Sequence, residues 1–149
     1  MMSIDNFNIR VYFILYNQER DAVLVSDELI FGKLVCKFPG GGLEYGEGVI
    51  GCAKREAIEE LGQEIEILDH FYTTEFFQQS AFRENDQIIS IYYKASLASP
   101  RKFKITQSDD LFAKGSSQKF RWLKLENASE NDMTFPIDQV VIEKLGSVS

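Results

Sequence analysis

Cysteine is scarce in this chain: only two, Cys36 and Cys52, occur among 149 residues. They make neither a disulfide framework nor a metal-ligand spacing, so they read as reduced, partly buried thiols that act as small apolar side chains. Long apolar runs are missing as well. No stretch approaches the ~20 apolar residues that a membrane-spanning helix needs. The opening MMSIDNFNIR places an acid before its first arginine and lacks an apolar core, so no secretory signal is visible and the cytoplasm is the expected location. Positive charge is the third shortage, with 16 Lys and Arg against 23 Asp and Glu and a net charge of −7. Binding to a phosphate backbone ordinarily leaves a basic patch, which argues against long nucleic acid as a partner. It does not argue against a small anionic ligand brought in by a bound cation.

What is present points to a folded core. Apolar residues make up 44%, with 12 Phe and 6 Tyr, which excludes a disordered chain and suits one domain over residues 1–149. IRVYFILY (9–16) and AVLVS (22–26) read as strands, joined by the polar NQERD into a hairpin. KLVCKF (33–38) reads as a third strand. PGGGLEYGEG (39–48) has five glycines and one proline and is expected to be irregular. A helix follows, with Ile50, Ala53, Ala57 and Leu61 on its apolar face and Gly62 placed as a left-handed cap. Further strands are expected at 64–77, 87–97 and 119–125, and a closing helix at 136–145 with proline in its first turn. Repeats and low-complexity segments are absent. The pattern is a single mixed α/β domain.

The segment REAIEELG (55–62) places three glutamates, Glu56, Glu59 and Glu60, within five positions. At ~100° per residue the three share an arc of ~100°. Like charges at helical spacings of three and four cost on the order of 0.2–0.5 kcal/mol per pair. A solvated acidic face is the plain explanation, but the glycine-rich stretch just before the helix favours another. Glycines let backbone approach a ligand closely, and Mg2+ takes oxygen ligands in octahedral geometry. Carboxylates on one helix face with a loop carbonyl would suit that ion, and the ion would offset the repulsion.

From Gly41 to Gln63 the chain reads GGLEYGEGVIGCAKREAIEELGQ. This resembles the Nudix box, G-x5-E-x7-R-E-U-x-E-E-x-G-U with U apolar. Gly41, Glu47, Arg55, Glu56, Glu59, Glu60 and Gly62 all fall at the required spacings. Ala57 is an acceptable U, whereas Gln63 departs from the pattern at a position that normally packs. The resemblance implies a Nudix-type α/β/α sandwich with a mixed β-sheet. It also implies hydrolysis of a phosphoanhydride in a nucleoside diphosphate linked to another group, with Mg2+ or Mn2+ as cofactor. Glu56, Glu59 and Glu60 are then the catalytic carboxylates and metal ligands. Gly41 would offer a carbonyl to the metal, and Arg55 would pair with Glu47 in a structural role. Glu44 is not required by the box and reads as surface. A small nucleotide substrate and a homodimer are compatible with the resemblance.

Relatives often add an acid from the loop before the strand that bears the tryptophan. Here AKGSSQKFRW (113–122) holds none, and Asp109 and Asp110 are the acids upstream. His70, the sole histidine, is expected at a strand end bonded to backbone. Phe71, Tyr72, Phe76, Phe77, Tyr92 and Tyr93 are expected mostly in the core. Downstream, Gln78, Gln79 and Ser80 stand where substrate subfamilies carry their markers, which leaves nucleoside triphosphates or nucleotide sugars as the class. Two other classes fit less well: a nucleotide sensor that binds without cleaving, which would tend to lose box glutamates, and an isopentenyl diphosphate isomerase, which would need a cysteine and further metal ligands outside the box, where Cys36 stands alone beside a full box.

Overall fold

The computed structural model describes residues 3–105 and 118–147, so Asp109 and Asp110 lie outside the described residues. In chain order the elements are β1 (Asn6–Leu15), β2 (Ala22–Ile30), β3 (Lys33–Lys37), β4 (Gly40–Gly42), α1 (Val49–Leu61), β5 (Ile65–Thr73), β6 (Asp86–Leu97), β7 (Gln118–Lys124) and α2 (Pro136–Ser147). Two compact units are resolved: Met1–Phe13 with Gly40–Ala98, and Ile14–Pro39 with Ser99–Ser149. No helix among the described residues is long and apolar enough to cross a membrane.

The first unit carries a sheet in the order β4-β1-β6-β5. Antiparallel β5 and β6 run in register from Ile65↔Leu97 to Thr73↔Ile91, with irregularities at Ile67/Asp69 and His70/Tyr72. The strand expected to continue to residue 77 stops at Thr73. There the Thr74 N–H still donates to the Ser90 carbonyl at 3.0 Å, and the Thr74 hydroxyl accepts from the Ser90 N–H at 2.8 Å. Phe76 and Phe77 are left exposed beyond it, while Tyr72 and Tyr92 are buried, so only part of the aromatic set is core.

The stretch expected to be irregular contains a strand. Gly40, Gly41 and Gly42 pair antiparallel with Tyr12, Val11 and Arg10. Glycine makes this possible: Gly40 has φ +144, and a Cβ there would run into the Val11 carbonyl and Tyr12. Any side chain would push β4 off β1.

The second unit carries a sheet in the order β3-β2-β7. This corrects the expected hairpin of β1 with β2. The two strands meet only at the isolated bridge Tyr16↔Val23, where the Asn17 side chain takes the N–H groups of Asp21 and Ala22. Both flanks of β1 are occupied by β4 and β6, so β2 pairs instead with β3 and β7. Its hairpin with β3 turns at Phe31 and Gly32, with φ 50 and 78, the paired positive angles of a tight two-residue hairpin turn. Ala22, Val23, Leu24 and Val25 are wholly buried, and α2 buries Ile137, Val141, Ile142 and Leu145.

Candidate active site

All seven fixed positions of the box lie in the first unit. Helix α1 starts after Gly48 and ends at Gly62, which is left-handed at φ 73 and donates its N–H to the Ile58 carbonyl. That is the glycine cap the sequence suggests. The face of the helix differs from expectation. Cys52, Ala53 and Ala57 are buried, Leu61 is half-buried and Ile50 is 44% exposed. The inward stripe runs 53, 56, 57, 60, one i, i+3, i+4, i+7 series. It brings Glu56 and Glu60 inward beside the alanines, both half-buried, and leaves Glu59 outside.

The glutamates therefore meet strand β4 from different directions. A Cβ on Gly41 would collide with the Glu56 carboxyl group, so glycine at 41 is what admits that carboxylate. Glu60 accepts the N–H of Gly40 at 2.9 Å. Arg55 Nη2 donates to the carbonyl of Gly42 at 3.0 Å. Side chains of α1 thus bond backbone groups of a strand at the end of its sheet, where a further strand would otherwise be needed.

Arg55 is the hub. Its Nε and Nη2 donate to the two oxygens of Glu47 at 3.0 and 2.8 Å. Its Nη1 donates to Glu56 at 3.1 Å and to both oxygens of Glu59 at 3.3 and 3.2 Å. Glu44 stands 3.6 Å away and is largely exposed. Glu47 also accepts the backbone N–H of Glu44 at 2.9 Å, which closes the loop on itself. The fork-to-fork pair with Arg55, then the Glu44 N–H, hold the Glu47 carboxyl down at about 2. Glu47 in turn raises Arg55 above the usual arginine range. Cys52, between helix and strand, contacts the carbonyls of Gly41 and Gly42. Burial, then its bond with Glu47, pushes its thiol up to about 12. Cys36 is likewise free and buried, also at about 12 by burial.

The repulsion among the glutamates is therefore answered in large part within the chain. Arg55 holds Glu56 and Glu59, and Glu60 turns to a backbone N–H. Among the described residues no group of three or more His, Cys, Asp or Glu side chains is gathered closely enough to hold a metal ion. Glu59, 56% exposed, is drawn to Arg55. The Glu56 and Glu60 carboxylates with glycine carbonyls between them are nevertheless oxygen donors, and that donor chemistry fits a hard divalent cation.

His70 is exposed, within β5 rather than at its end, and its Nε2 bonds the Thr73 hydroxyl at 2.8 Å in place of backbone. Arg10 and Tyr12, which the sequence did not single out, are the register partners of Gly42 and Gly40 on β1. Their signal was the glycine run itself, since three glycines without side chains hand the space beside them to a neighbouring strand.

Residues 6–145 match a family model described as the NUDIX domain, a span that takes in residues of both units. A comparison with curated protein sequences gives no match. Among solved structures, a NUDIX hydrolase from Nitrosomonas europaea is 18% identical, with 95% of this chain and 89% of that one covered and a TM-score of 0.69. A MutT protein from Methanosarcina mazei is 16% identical, with 97% and 96% covered and a TM-score of 0.69. The mixed α/β fold is the one these proteins share.

Proposed function

The chain belongs to the NUDIX family, and from that premise we propose that it is a divalent-metal-dependent pyrophosphohydrolase. Its substrate is a nucleoside diphosphate linked to another group, in the nucleoside triphosphate or nucleotide sugar class, met as a small molecule in the cytoplasm. The observation that carries this reading is the placement of Glu56 and Glu60 on the inward stripe of α1, against the glycines of β4.

Glu56 and Glu60 with the carbonyl of Gly41 would hold Mg2+ or Mn2+, and Glu59 would join the carboxylate set on leaving Arg55. Such a cation, when bound, neutralises phosphate charge and lowers the pKa of a bound water. The proton of the attacking water would go to one of the three glutamates or to a carboxylate from a later loop. Arg55 acts on the site through Glu47. Their paired bonds fix the glycine loop against the helix and so hold Gly41 where Glu56 meets it. Gly62 ends the helix one residue past its last turn.

The test is phosphate release from a panel of nucleoside triphosphates, nucleotide sugars, ADP-ribose and dinucleoside polyphosphates, each with Mg2+ and with EDTA. Metal-dependent turnover of one class is the expected result. Silence across the panel, with nucleotide binding seen by thermal shift, would overturn it in favour of a sensor.

A further inference from the structure

Strand β6 buries two polar side chains on the face that carries Tyr92. Positions 86, 90 and 92 share that face by the alternation of a strand, and Asp86 and Ser90 are only 7% and 2% exposed. Tyr92 stacks on Tyr12 of β1 at 5.2 Å. The same face continues to β4, since a Cβ on Gly40 would meet the Tyr12 ring. In the order β4-β1-β6, β4 and β6 are about 10 Å apart.

The backbone at both residues is engaged. The Asp86 N–H donates to Arg83 at 3.1 Å, and its carbonyl accepts from Ser80 at 2.9 Å. Ser90 is tied by its N–H and carbonyl to Thr74. The side chains are different: the Asp86 carboxylate and the Ser90 hydroxyl make no hydrogen bond or ion pair among the described residues. Buried polar side chains of the other unit are paired, Asp27 with Arg121 at 2.7 Å and Ser26 with Glu28 at 3.0 Å. No fully enclosed side-chain nitrogen or oxygen among the described residues lacks a partner, so the Asp86 and Ser90 oxygens are where this face opens outward. Covering a carboxylate without giving it a donor costs free energy, and a ligand that brings donors recovers it.

We propose that Asp86 and Ser90 form a subsite for the nucleoside part of the substrate, with Asp86 accepting two neighbouring donors at once. Among the described residues no group of acidic, histidine or cysteine side chains is gathered to hold a metal ion, so hydrogen-bond donors are the partners this carboxylate fits. A nucleotide presents such a pair in two places: the N1 and N2 groups on the edge of guanine, and the vicinal hydroxyls of ribose. Adenine, cytosine and uracil each set a donor beside an acceptor, which a carboxylate repels. A site built to bond a donor discriminates strongly against the analogue that lacks it. The inference rests on the hydrolase reading above and adds to it the part of the substrate that is chosen, with the diphosphate at β4 and the nucleoside at β6.

The experiment titrates isotope-labelled protein with GMP, IMP, AMP and dGMP in EDTA and follows the amide resonances of Ser80 and residues 86–90. IMP lacks the amine of guanine and dGMP lacks a ribose hydroxyl, so the set separates the two sources. Preference for GMP and dGMP over IMP and AMP assigns the guanine edge. Preference for the three ribonucleotides over dGMP assigns the ribose. Asp86→Asn should lose whichever preference is found and weaken binding by about ten- to a hundredfold, while Ser90→Ala should lose a few-fold. Equal affinity for all four, no binding of any, or shifts that spare Ser80 and residues 86–90 would overturn the proposal. So would wild-type preference and affinity in Asp86→Asn, whatever its melting temperature. Failure of the hydrolase reading would show separately, as wild type without metal-dependent turnover, while the metal-free titration still reads Asp86.

Discussion

Helices α1 and α2 are anchored by different forces. α2 buries four large aliphatic side chains, Ile137, Val141, Ile142 and Leu145, each worth roughly 1.5–3 kcal/mol of transfer free energy. α1 buries only Cys52, Ala53 and Ala57, and what fastens it to β4 and the loop that follows is polar: Glu60 to Gly40, Arg55 to Gly42 and Arg55 to Glu47. One helix is held by area, the other by directed bonds. The difference teaches where stability and chemistry are separable. Around α2 a lost side chain should cost folding and leave the reaction alone. Around α1 the groups that fasten the helix are the groups proposed to act, so a change there should reach activity first.

The sharpest way to break that comparison is at Glu60, which would both hold the cation and cap the Gly40 N–H. Glu60→Gln keeps an acceptor for Gly40 but removes the charge. It should lower activity on the order of 10²–10³-fold with a melting temperature near wild type. Glu60→Ala should lose the same activity and also melt lower. If Glu60→Gln kept wild-type turnover with Mg2+, the carboxylate would be only a backbone cap.

Next in size is Ile142→Ala, the matching change in α2. Truncating a side chain that is 1% exposed should cost about 2–5 kcal/mol, or about 5–15 °C in melting temperature. Activity per folded molecule should stay at the wild-type level below the transition. A large drop in kcat well below the melting temperature would show that the two regions are not separable. A smaller effect is expected at Glu47→Gln, which removes one arm of the Arg55 fork and touches no proposed ligand. Turnover should fall about ten- to a hundredfold, as for other supporting partners of a metal site, and amide exchange at Gly48 and Val49 should speed up.

The contrast between the two helices also marks what could be read in advance. The seven box residues follow from the resemblance to the Nudix box, while the cap at Gly62 and the helix at 136–145 are local signals, a glycine after the last turn and a proline in the first. Strand β4 was not legible. Three glycines read as a loop by propensity, and only the approach to Val11 and Tyr12 makes them a strand. The pairing of β2 was lost for a similar reason, since a short polar turn after β1 looks like a hairpin and the sequence does not show that β4 and β6 already flank that strand. The expected face of α1 took in Ile50 and Leu61 by their spacing of three and four, whereas Ile50 is 44% exposed. The true stripe contains two glutamates, and a hydrophobic pattern cannot see a helix whose inward face is partly charged.

The smallest effect in the comparison is the response to acid, and its sign follows from Glu47. Arg55 and the Glu44 N–H hold that carboxyl at about 2, below its ordinary 4.5. Between those values the unfolded chain binds a proton that the folded chain refuses, so the contribution is complete above pH 4.5 and fades as pH falls toward 2. The exposed pair of Asp21 with Lys124 in the other unit also lowers its carboxyl, but a solvated pair contributes little to folding. Acid should therefore loosen the box loop before it loosens α2. Hydrogen exchange followed from pH 6 to pH 3 should rise earlier over residues 44–49 than over 137–145. Glu47→Gln should abolish that lead, because the variant has no carboxyl there to protonate. Parallel loss in both segments in the wild type would mean that the Arg55 fork does not set the order, and that the two helices respond to acid as one cooperative fold.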